Sequence, residues 1–445
     1  MEKEFSKGGI ILTFADRLRK LSPARILCLG FLLVIVTGGF LLWLPISMET
    51  GKSISFIDAM FISTSAVCVT GLTTVEVGNT FNLFGEIVIA LLIQIGGLGI
   101  STIGIIFVLL AKKRIGLKSR QIIKESLNFS NFQGLVKTLK CFILIAFGIE
   151  AIGAFLSFFV FIQDYPFLQA LKISIFHSVS AFNNAGFDIL GGFDSLLAYQ
   201  DHLWLNLITC VLVILGGLGF LVEMDIVKKK EWKKFMFQTK VVLTMTGILL
   251  VSGTLLLKFS ENITWLGAFF QSVIARTAGF NTFPLSNFTQ AGLLVMIILM
   301  FIGASPGSTG GGIKTTTLFV IVLKAVSSTF NQNRNTAFRR RIPDLVVTKA
   351  LVVLFFGLVV VISGSYIIMV LEPGLSMSSI FVEVTSAFAT VGASVGITPE
   401  LCTMSKFVIM VIMFIGRLGP VTIASLWIFK EVKNIYYTEE GMMIG

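Results

Sequence analysis

The chain has 445 residues, of which 55% are hydrophobic and 13% charged, about half the charged fraction of an ordinary soluble domain. Apolar runs of about 20 residues, enough to cross a bilayer as a helix, recur along its whole length. This composition excludes a cytosolic enzyme, a secreted scaffold and a disordered chain. The formal net charge is +11, and the distribution of Lys and Arg along the chain explains it.

Eight apolar segments are predicted to span a membrane as helices. They lie near residues 24–44, 83–110, 139–161, 203–227, 241–258, 290–326, 345–371 and 405–430. Most Lys and Arg residues lie at the chain ends and in the connections that follow the second, fourth and sixth spans. The positive-inside rule therefore predicts that these segments and both termini are cytoplasmic. Topology thus explains the positive charge, and no nucleic-acid partner is expected.

Each predicted extracellular connection contains another apolar run, too short to span and typical of a re-entrant segment. The runs are Phe56 to Cys68, Phe167 to Asn183, Trp265 to Arg276 and Ser379 to Ala389. One glycine follows each run at a matching position, in Val69-Thr70-Gly71, Asn184-Ala185-Gly186, Thr277-Ala278-Gly279 and Thr390-Val391-Gly392. With these glycines aligned, glycines in the next span also align, namely Gly96, Gly216, Gly303 and Gly416. The pattern predicts an all-α integral membrane protein of four tandem span–pore helix–span repeats.

The predicted fold thus has eight transmembrane helices around one pseudo-four-fold pore. The pore repeats are residues 24–110, 139–227, 241–326 and 345–430. Cytoplasmic segments precede, join and follow them at residues 1–23, 111–138, 228–240, 327–344 and 431–445.

The aligned glycine loops are the predicted ion-binding site. Four pore helices would direct their C-terminal ends, each worth about half a negative charge, at the bilayer centre and so attract a cation. The carbonyls of the following loops would replace the hydration shell of the ion, and glycine permits the backbone angles that this requires. All three residues of each aligned triplet, from Val69 to Gly392, are predicted filter residues. One glycine per loop, against two in a potassium-channel filter, predicts a shorter filter.

The repeated pattern with single filter glycines resembles the Trk, Ktr and HKT superfamily of potassium transporters over nearly the whole chain. Without an additional helix pair before the first repeat, it most resembles the KtrB membrane subunit of bacterial Ktr systems. The resemblance implies sodium-stimulated potassium uptake across the plasma membrane by a homodimer. It also implies a cytoplasmic ring of nucleotide-binding, KtrA-like regulatory subunits, on which the tail Tyr436 to Gly445 is expected to dock. No cofactor is expected in this chain. Potassium is the expected transported ion, and sodium an activator or co-ion.

The sixth span is interrupted by Gly303-Ala304-Ser305-Pro306-Gly307-Ser308-Thr309-Gly310-Gly311-Gly312. The following Ile313 and Lys314 do not fit a phosphate-binding loop, because the lysine is displaced by one residue and no strand precedes it. The segment is interpreted as an intramembrane gate together with Lys314, and a helix kink is the alternative. Arg417 replaces the glycine found at 97 and 217 and is predicted to bond carbonyls of this loop, or else a carboxylate.

Other charged residues in apolar surroundings allow more than one interpretation. Arg276 and Glu383 are hypothesised to form an ion pair between pore helices. Glu150 and the pair Glu223 and Asp225 suit either proton transfer or helix capping and a wet crevice. A sodium-permeable or proton-coupled carrier is therefore the alternative within transport. An enzyme is not expected, since no catalytic cluster has suitable spacing, and short extracellular connections disfavour a receptor.

Overall fold

The computed structural model of the protein describes residues 23–99, 135–330 and 335–425. These residues are almost entirely helical, with one short β-hairpin. The first half contains α1 (Pro23–Trp43), α2 (Phe56–Cys68), α3 (Leu83–Leu98), α4 (Leu135–Phe161), α5 (Phe167–Phe182), α6 (Leu203–Leu218) and α7 (Phe220–Lys229). The second half contains α8 (Phe237–Ser260), α9 (Trp265–Ile274), α10 (Gln290–Phe301), α11 (Thr315–Thr329), β1 (Thr336–Ala337), β2 (Arg340–Arg341), α12 (Asp344–Leu371), α13 (Met377–Ala389), α14 (Thr403–Leu418) and α15 (Pro420–Ser425). Single helical turns occur at Pro45–Ser47, Val77–Thr80, Leu197–Tyr199, Trp232–Lys234, Leu285–Asn287 and Thr398–Glu400.

The order of long helix, short helix and second helix recurs four times along the described chain. The second helices are α3, α6, α10 and α14. In the described ranges, α1, α4, α8 and α12 are each long and apolar enough to cross a bilayer alone, so the protein crosses the membrane several times. Helices α2, α5, α9 and α13 lie at the predicted re-entrant runs. Side-chain caps begin three of these short helices, since Ser55, Thr264 and Ser376 each accept a hydrogen bond from a backbone amide of the first turn.

Several predicted segments lie wholly or mostly outside the described residues. These are the cytoplasmic segments 1–23, 111–138 and 431–445, including the tail from Tyr436 to Gly445, and the end of the predicted span 83–110.

The predicted spans at 203–227 and 405–430 are not continuous helices in the structure. Helix α6 ends at Leu218, and α7 leaves it at an angle of 99°. Likewise α14 ends at Leu418, and α15 starts at Pro420. The residue at each break is Gly219 or Gly419, with φ of 89° and 88°, a left-handed conformation that glycine adopts without a Cβ clash. Helix α3 ends in the same way at Gly99, where φ is 84°.

The segment at residues 302–314 is an irregular chain between α10 and α11. The helix-kink alternative for the sixth span is therefore wrong as a description of its geometry. Second helices also end within the predicted spans of the second and fourth repeats, so what distinguishes the third repeat is the long irregular segment and not the break itself.

Glycines in the second helices allow close contact with the short helices. A Cβ added at Gly96, Gly216 or Gly416 would collide with the carbonyl oxygen of Val67, Phe182 or Phe388 respectively, each at the C-terminal end of a short helix. The corresponding Gly303 instead approaches the carbonyl of Gly311. The glycine-rich runs therefore let the second helices back the ends of the short helices.

A second set of close contacts joins the long helices to the short ones. Gly38, Gly153 and Gly253 lie against the hydroxyls of Ser63, Ser178 and Ser272. Each hydroxyl donates to a carbonyl of the facing long helix, at 2.7, 2.6 and 3.1 Å. The same packing arrangement thus holds three of the four short helices against their long helices.

Ion pairs link neighbouring repeats. Lys406 lies 2.8 Å from Asp58, which joins the last repeat to the first. Lys172 lies 2.9 Å from Glu86, which joins the second repeat to the first. These contacts connect elements far apart in sequence and support the closed arrangement of the bundle.

We predict that Gly216→Ala lowers the stability of the folded protein, because the new methyl group collides with the Phe182 carbonyl. Overpacking of this kind costs about 1–3 kcal/mol, which a thermal melt in detergent would detect as a lower Tm. Gly148→Ala is the matched control, since nothing lies within 4 Å of a Cβ at that helical position. Equal Tm values for both variants would contradict the close approach.

Candidate functional site

The four aligned loops meet in a closed ring, here called the carbonyl ring, made by residues 69–71, 184–186, 277–279 and 390–392. A Cβ on each ring glycine would collide with a carbonyl oxygen of the next loop. The successive glycine and carbonyl pairs are Gly71 with Ala185, Gly186 with Ala278, Gly279 with Val391, and Gly392 with Thr70. The structure therefore brings all the predicted filter residues together, and glycine is required because each loop passes so close to its neighbour.

All four loops share one unusual backbone conformation. The residue two positions before each glycine has a left-handed φ, at 57° for Val69, 58° for Asn184, 92° for Thr277 and 53° for Thr390. The glycines themselves also have positive φ. Left-handed φ is a genuine outlier for β-branched residues, and such strain persists only where the surrounding structure imposes it. Sequence reasoning anticipated this need at the glycines only.

Hydrogen bonds to the preceding short helix hold the ring amides. The amides of Thr70, Ala185 and Val391 donate to carbonyls of the serines five residues earlier, at 2.7, 2.8 and 2.9 Å. The Ser65 and Ser386 hydroxyls accept from the amides of Gly71 and Gly392 at 3.0 Å. Ser65, Ser180 and Ser386 each lie six residues before a ring glycine. The third loop has Val273 at that position and uses an Ala278 amide to Ile274 carbonyl bond instead.

Three of the four ring carbonyls are left available, whereas that of Ala278 accepts from the Phe280 amide at 3.0 Å. Among the described residues, the carbonyl oxygens of Thr70, Ala185 and Val391 accept no hydrogen bond. Each loop follows directly after a short helix, so the negative ends of four helix dipoles converge on the ring. Carbonyl oxygens that face a converging negative potential suit a dehydrated cation.

The ring separates two cavities. The outer cavity, of 220 Å³, is lined by all four ring glycines. Asp188, two residues after Gly186, also lines it and accepts a hydrogen bond from the Leu190 amide at 3.2 Å. Burial raises the pKa of Asp188, and its carboxylate form favours cations at this mouth. Sequence reasoning missed Asp188, although it aligns with Thr73, Asn281 and Ser394, which line the same cavity.

The glycine-rich segment lies directly against the inner side of the ring. The Gly311 amide donates to the Thr390 hydroxyl at 2.9 Å, and a Cβ at Gly310 would collide with the Thr277 hydroxyl. The inner cavity, of 630 Å³, is lined by much of this segment together with Lys314 and Arg417. The segment thus stands between the ring and the inner cavity.

Contacts from neighbouring repeats hold the glycine-rich segment in place. The amides of Ser305 and Thr309 donate to carbonyls of Gly217 and Gly216, at 3.1 and 3.2 Å. The Lys314 ammonium donates to the carbonyls of Gly310 and Gly311, at 2.7 and 3.3 Å. The segment is therefore fixed by α6 on one side and by its own lysine.

Arg417 bridges the segment to the first repeat. Its guanidinium donates to the carbonyl of Thr309 and to those of Gly96 and Gly97. The predicted contact with loop carbonyls is present, and no carboxylate among the described residues pairs with Arg417, so the carboxylate alternative is wrong. Removing this side chain would free the segment from α3 and α14 together.

The hypothesised pair of Arg276 and Glu383 is wrong. Glu383 accepts hydrogen bonds from the hydroxyls of Ser394, at 2.7 Å, and Thr398. Arg276 is buried and reaches the Thr246 hydroxyl at 3.4 Å. The Glu383 carboxylate is satisfied within its own repeat, so it has no need of a cation from the third repeat.

The remaining acidic candidates are not part of the ring loops. Glu150 accepts from the amides of Gln94 and Asn183, at 2.9 and 3.0 Å, and joins three helices. Asp225 accepts from the Met236 amide at 2.7 Å and pairs with Lys229, so it caps the start of α8. Glu223 lines the inner cavity.

Membrane-crossing helices around a ring of carbonyls, three of which accept no hydrogen bond within the described residues, define a class of protein, one suited to moving a cation through a bilayer. The chain matches the TrkH family, described as "Cation transport protein", over residues 24–264 and 238–433. It belongs to that family, whose members are transporters and not enzymes.

Individual relatives agree with this assignment. The chain is 39% identical to the "Potassium/sodium uptake protein NtpJ" of Enterococcus hirae, over 96% of this chain and 98% of that protein. It is 38% identical to the "Ktr system potassium uptake protein B" of Bacillus subtilis, over 96% and 97% of the two chains. The fold matches the crystal structure of the potassium transporter TrkH from Vibrio parahaemolyticus, with a TM-score of 0.74 at 21% identity, over 92% of this chain and 85% of that one.

We predict that replacing a ring glycine by serine, as in Gly186→Ser, lowers the affinity of the purified protein for potassium, or its preference for potassium over sodium, by at least about tenfold. The added side chain meets the Ala278 carbonyl and disfavours the left-handed φ of 68°. Isothermal titration of the purified protein with potassium and sodium measures the effect. Gly374→Ser is the control, because a Cβ there has open space. Unchanged affinity for both ions in Gly186→Ser would contradict the role of the ring.

Proposed function

We propose that this protein takes up potassium across the plasma membrane through a channel-like pore whose selectivity filter is the carbonyl ring. The observation that carries the proposal is the closed contact of four loops, each glycine against the next carbonyl, with the last loop meeting the first. One ion at the centre of such a ring would be surrounded by backbone oxygens from all four repeats, which can replace its water.

The proposed membrane arrangement has eight transmembrane helices, as four span–pore helix–span repeats around one pseudo-four-fold axis. Recurrence of the helix order and of the glycine contacts supports this arrangement. Irregular backbone at membrane depth is tolerated only where it is buried in protein or lines a wet cavity, and the ring loops meet that condition. The basic connections support cytoplasmic termini.

Potassium is the proposed ion because the relatives from Enterococcus hirae and Bacillus subtilis are named potassium uptake proteins. The first of these names also includes sodium. Sodium permeation is therefore the second candidate, with sodium as a stimulating ion a further part of the proposal. A proton-coupled carrier has weaker support, because Glu150 and Asp225 both bind neighbouring groups.

The proposed assembly is a homodimer on a ring of nucleotide-binding, KtrA-like subunits at the cytoplasmic face. The word "system" in the name of the Bacillus subtilis relative indicates that it works with other components. The proposed gate is the glycine-rich segment with Lys314 and Arg417, since it stands between the ring and the inner cavity. Movement of this segment would connect the ring with the inner cavity.

We expect a potassium gradient to drive potassium, or rubidium-86 as its tracer, into liposomes that contain the purified chain. Sodium flux should be much smaller. Growth of a potassium-uptake-deficient bacterium on low potassium gives an independent measurement. Protein-free liposomes control for leakage. Equal flux of sodium and potassium would favour sodium permeation, the second candidate. If the variant that lacks Ser305 to Gly312, described next, carried neither ion, the proposal would be contradicted.

Deleting Ser305 to Gly312 should increase potassium flux and make it independent of the regulatory subunit, because the segment no longer covers the ring. Arg417→Ala should increase flux less, since the segment remains as a steric barrier. Charge-assisted hydrogen bonds contribute roughly 1.5–3 kcal/mol each, enough to change the open fraction by about tenfold.

Arg417→Lys is the matched variant for this experiment. It retains the positive charge but lacks the guanidinium fork that reaches both Thr309 and Gly96. Flux near the Arg417→Ala value would assign the effect to the hydrogen bonds, and flux near the parent value would assign it to charge. A folded deletion that conducts no faster than the parent would show that the segment is no barrier.

A further inference from the structure

A strongly basic groove lies where the connection between α7 and α8 meets the β-hairpin. Its basic lining side chains are Lys229, Lys233, Lys234, Lys240, Arg339 and Arg340. No acidic residue lines the described groove, whose volume is 1150 Å³. We call this feature the basic groove, and it is separate from the ring and from both pore cavities.

Four of these six basic side chains have no acidic partner among the described residues. Lys229 pairs with Asp225 at 2.8 Å, and Lys234 pairs with Glu231 at 2.7 Å. Among the described residues, Lys233, Arg339 and Arg340 make no ion pair, and all three are exposed. The groove therefore presents uncompensated positive charge to a ligand.

Aromatic side chains form most of the rest of the groove. The ring of Phe338 lies 6.4 Å from that of Trp232 and 6.3 Å from that of Phe237. Trp232 and Phe338 are 48% and 39% exposed. Tryptophan with adjacent basic residues is typical of the membrane–water interface.

The hairpin turn that supplies two of these groups is strained. Pairing of Ala337 with Arg340 leaves Phe338 and Arg339 as a two-residue turn. Their φ values are 47° and 61°, both left-handed. Such turns favour Asn-Gly, so bulky residues here are costly for the fold. Strain of this kind is concentrated at functional sites.

The groove lies at the membrane end of a spanning helix. Helix α8 starts at Phe237, in the groove, and is apolar enough to cross a bilayer. Helix α7 is bent by 99° from α6 and ends at Lys229, which lines the same groove. These positions indicate the depth of lipid headgroups.

We propose that the basic groove binds the headgroup of an anionic phospholipid from the cytoplasmic leaflet. Lys233, Arg339 and Arg340 contact its phosphate groups, and Trp232 and Phe338 lie at the boundary with the acyl chains. Basic clusters next to the cytoplasmic end of a spanning helix attract anionic lipid in this way. The acidic surface of a soluble partner would use the same charge but not the exposed aromatic rings at bilayer depth. The inference rests on the proposed orientation and not on the filter or gate.

Native mass spectrometry of the full chain in detergent, titrated with phosphatidylglycerol or phosphatidylcholine, tests the inference. The variant Lys233→Gln, Arg339→Gln, Arg340→Gln should bind phosphatidylglycerol at least about tenfold more weakly, because each basic residue contributes roughly fivefold. The control Lys140→Gln, Lys324→Gln, Lys349→Gln removes the same charge at exposed positions outside the groove and should bind like the parent. Phosphatidylcholine binding should be equal in all three proteins.

The double variant Phe338→Asn, Arg339→Gly is designed to stay folded, since it introduces the residues that the turn favours. It should lose phosphatidylglycerol affinity while its Tm stays equal or rises. Parent-like phosphatidylglycerol binding by this variant and by the triple variant would overturn the inference. An equal loss in the control triple variant would overturn it too. Loss of regulatory-subunit binding with lipid binding intact would assign the groove to a protein partner instead.

Discussion

The close approach of each ring glycine to a carbonyl of the next loop is the contact on which the rest of the structure depends. A side chain at any of these positions would separate neighbouring loops and open the ring. Backbone at membrane depth is stable only if its polar groups find partners or a cavity. Ring amides satisfy this by bonding back to the short helices, and the carbonyls of Thr70, Ala185 and Val391 accept no hydrogen bond within the described residues.

The surrounding packing imposes this conformation on residues that would not adopt it alone. Val69, Thr277 and Thr390 are β-branched and yet have left-handed φ. Short helices tied to long helices by serine hydroxyls, and backed by glycines of the second helices, fix where each loop begins. The pseudo-symmetry is incomplete, because the third loop lacks the serine and the third repeat carries the inserted segment. The segment that lies against the inner side of the ring therefore comes from one repeat alone.

The aligned glycines in the sequence were sufficient to predict which residues meet in the ring, because close backbone contact requires a glycine at the same position of each repeat. Arg417 was predicted from the same alignment, as a charge where its counterparts have glycine. The bends at Gly219 and Gly419 were not predicted, because a glycine within an apolar run is compatible with a straight helix.

The predicted pair of Arg276 and Glu383 failed for a different reason. Alignment gives depth in the membrane, but local partners such as Ser394 and Thr398 decide which way a side chain turns. The strained Phe338-Arg339 turn carries no turn signature at all.

Direct location of the bound ion tests the central claim most sharply. Anomalous X-ray diffraction from crystals grown with rubidium or thallium in place of potassium would show where a monovalent cation sits. The account predicts an anomalous peak at the centre of the carbonyl ring, surrounded by the oxygens of Thr70, Ala185, Ala278 and Val391. Peaks confined to the outer or inner cavity, with none inside an intact ring, would contradict it.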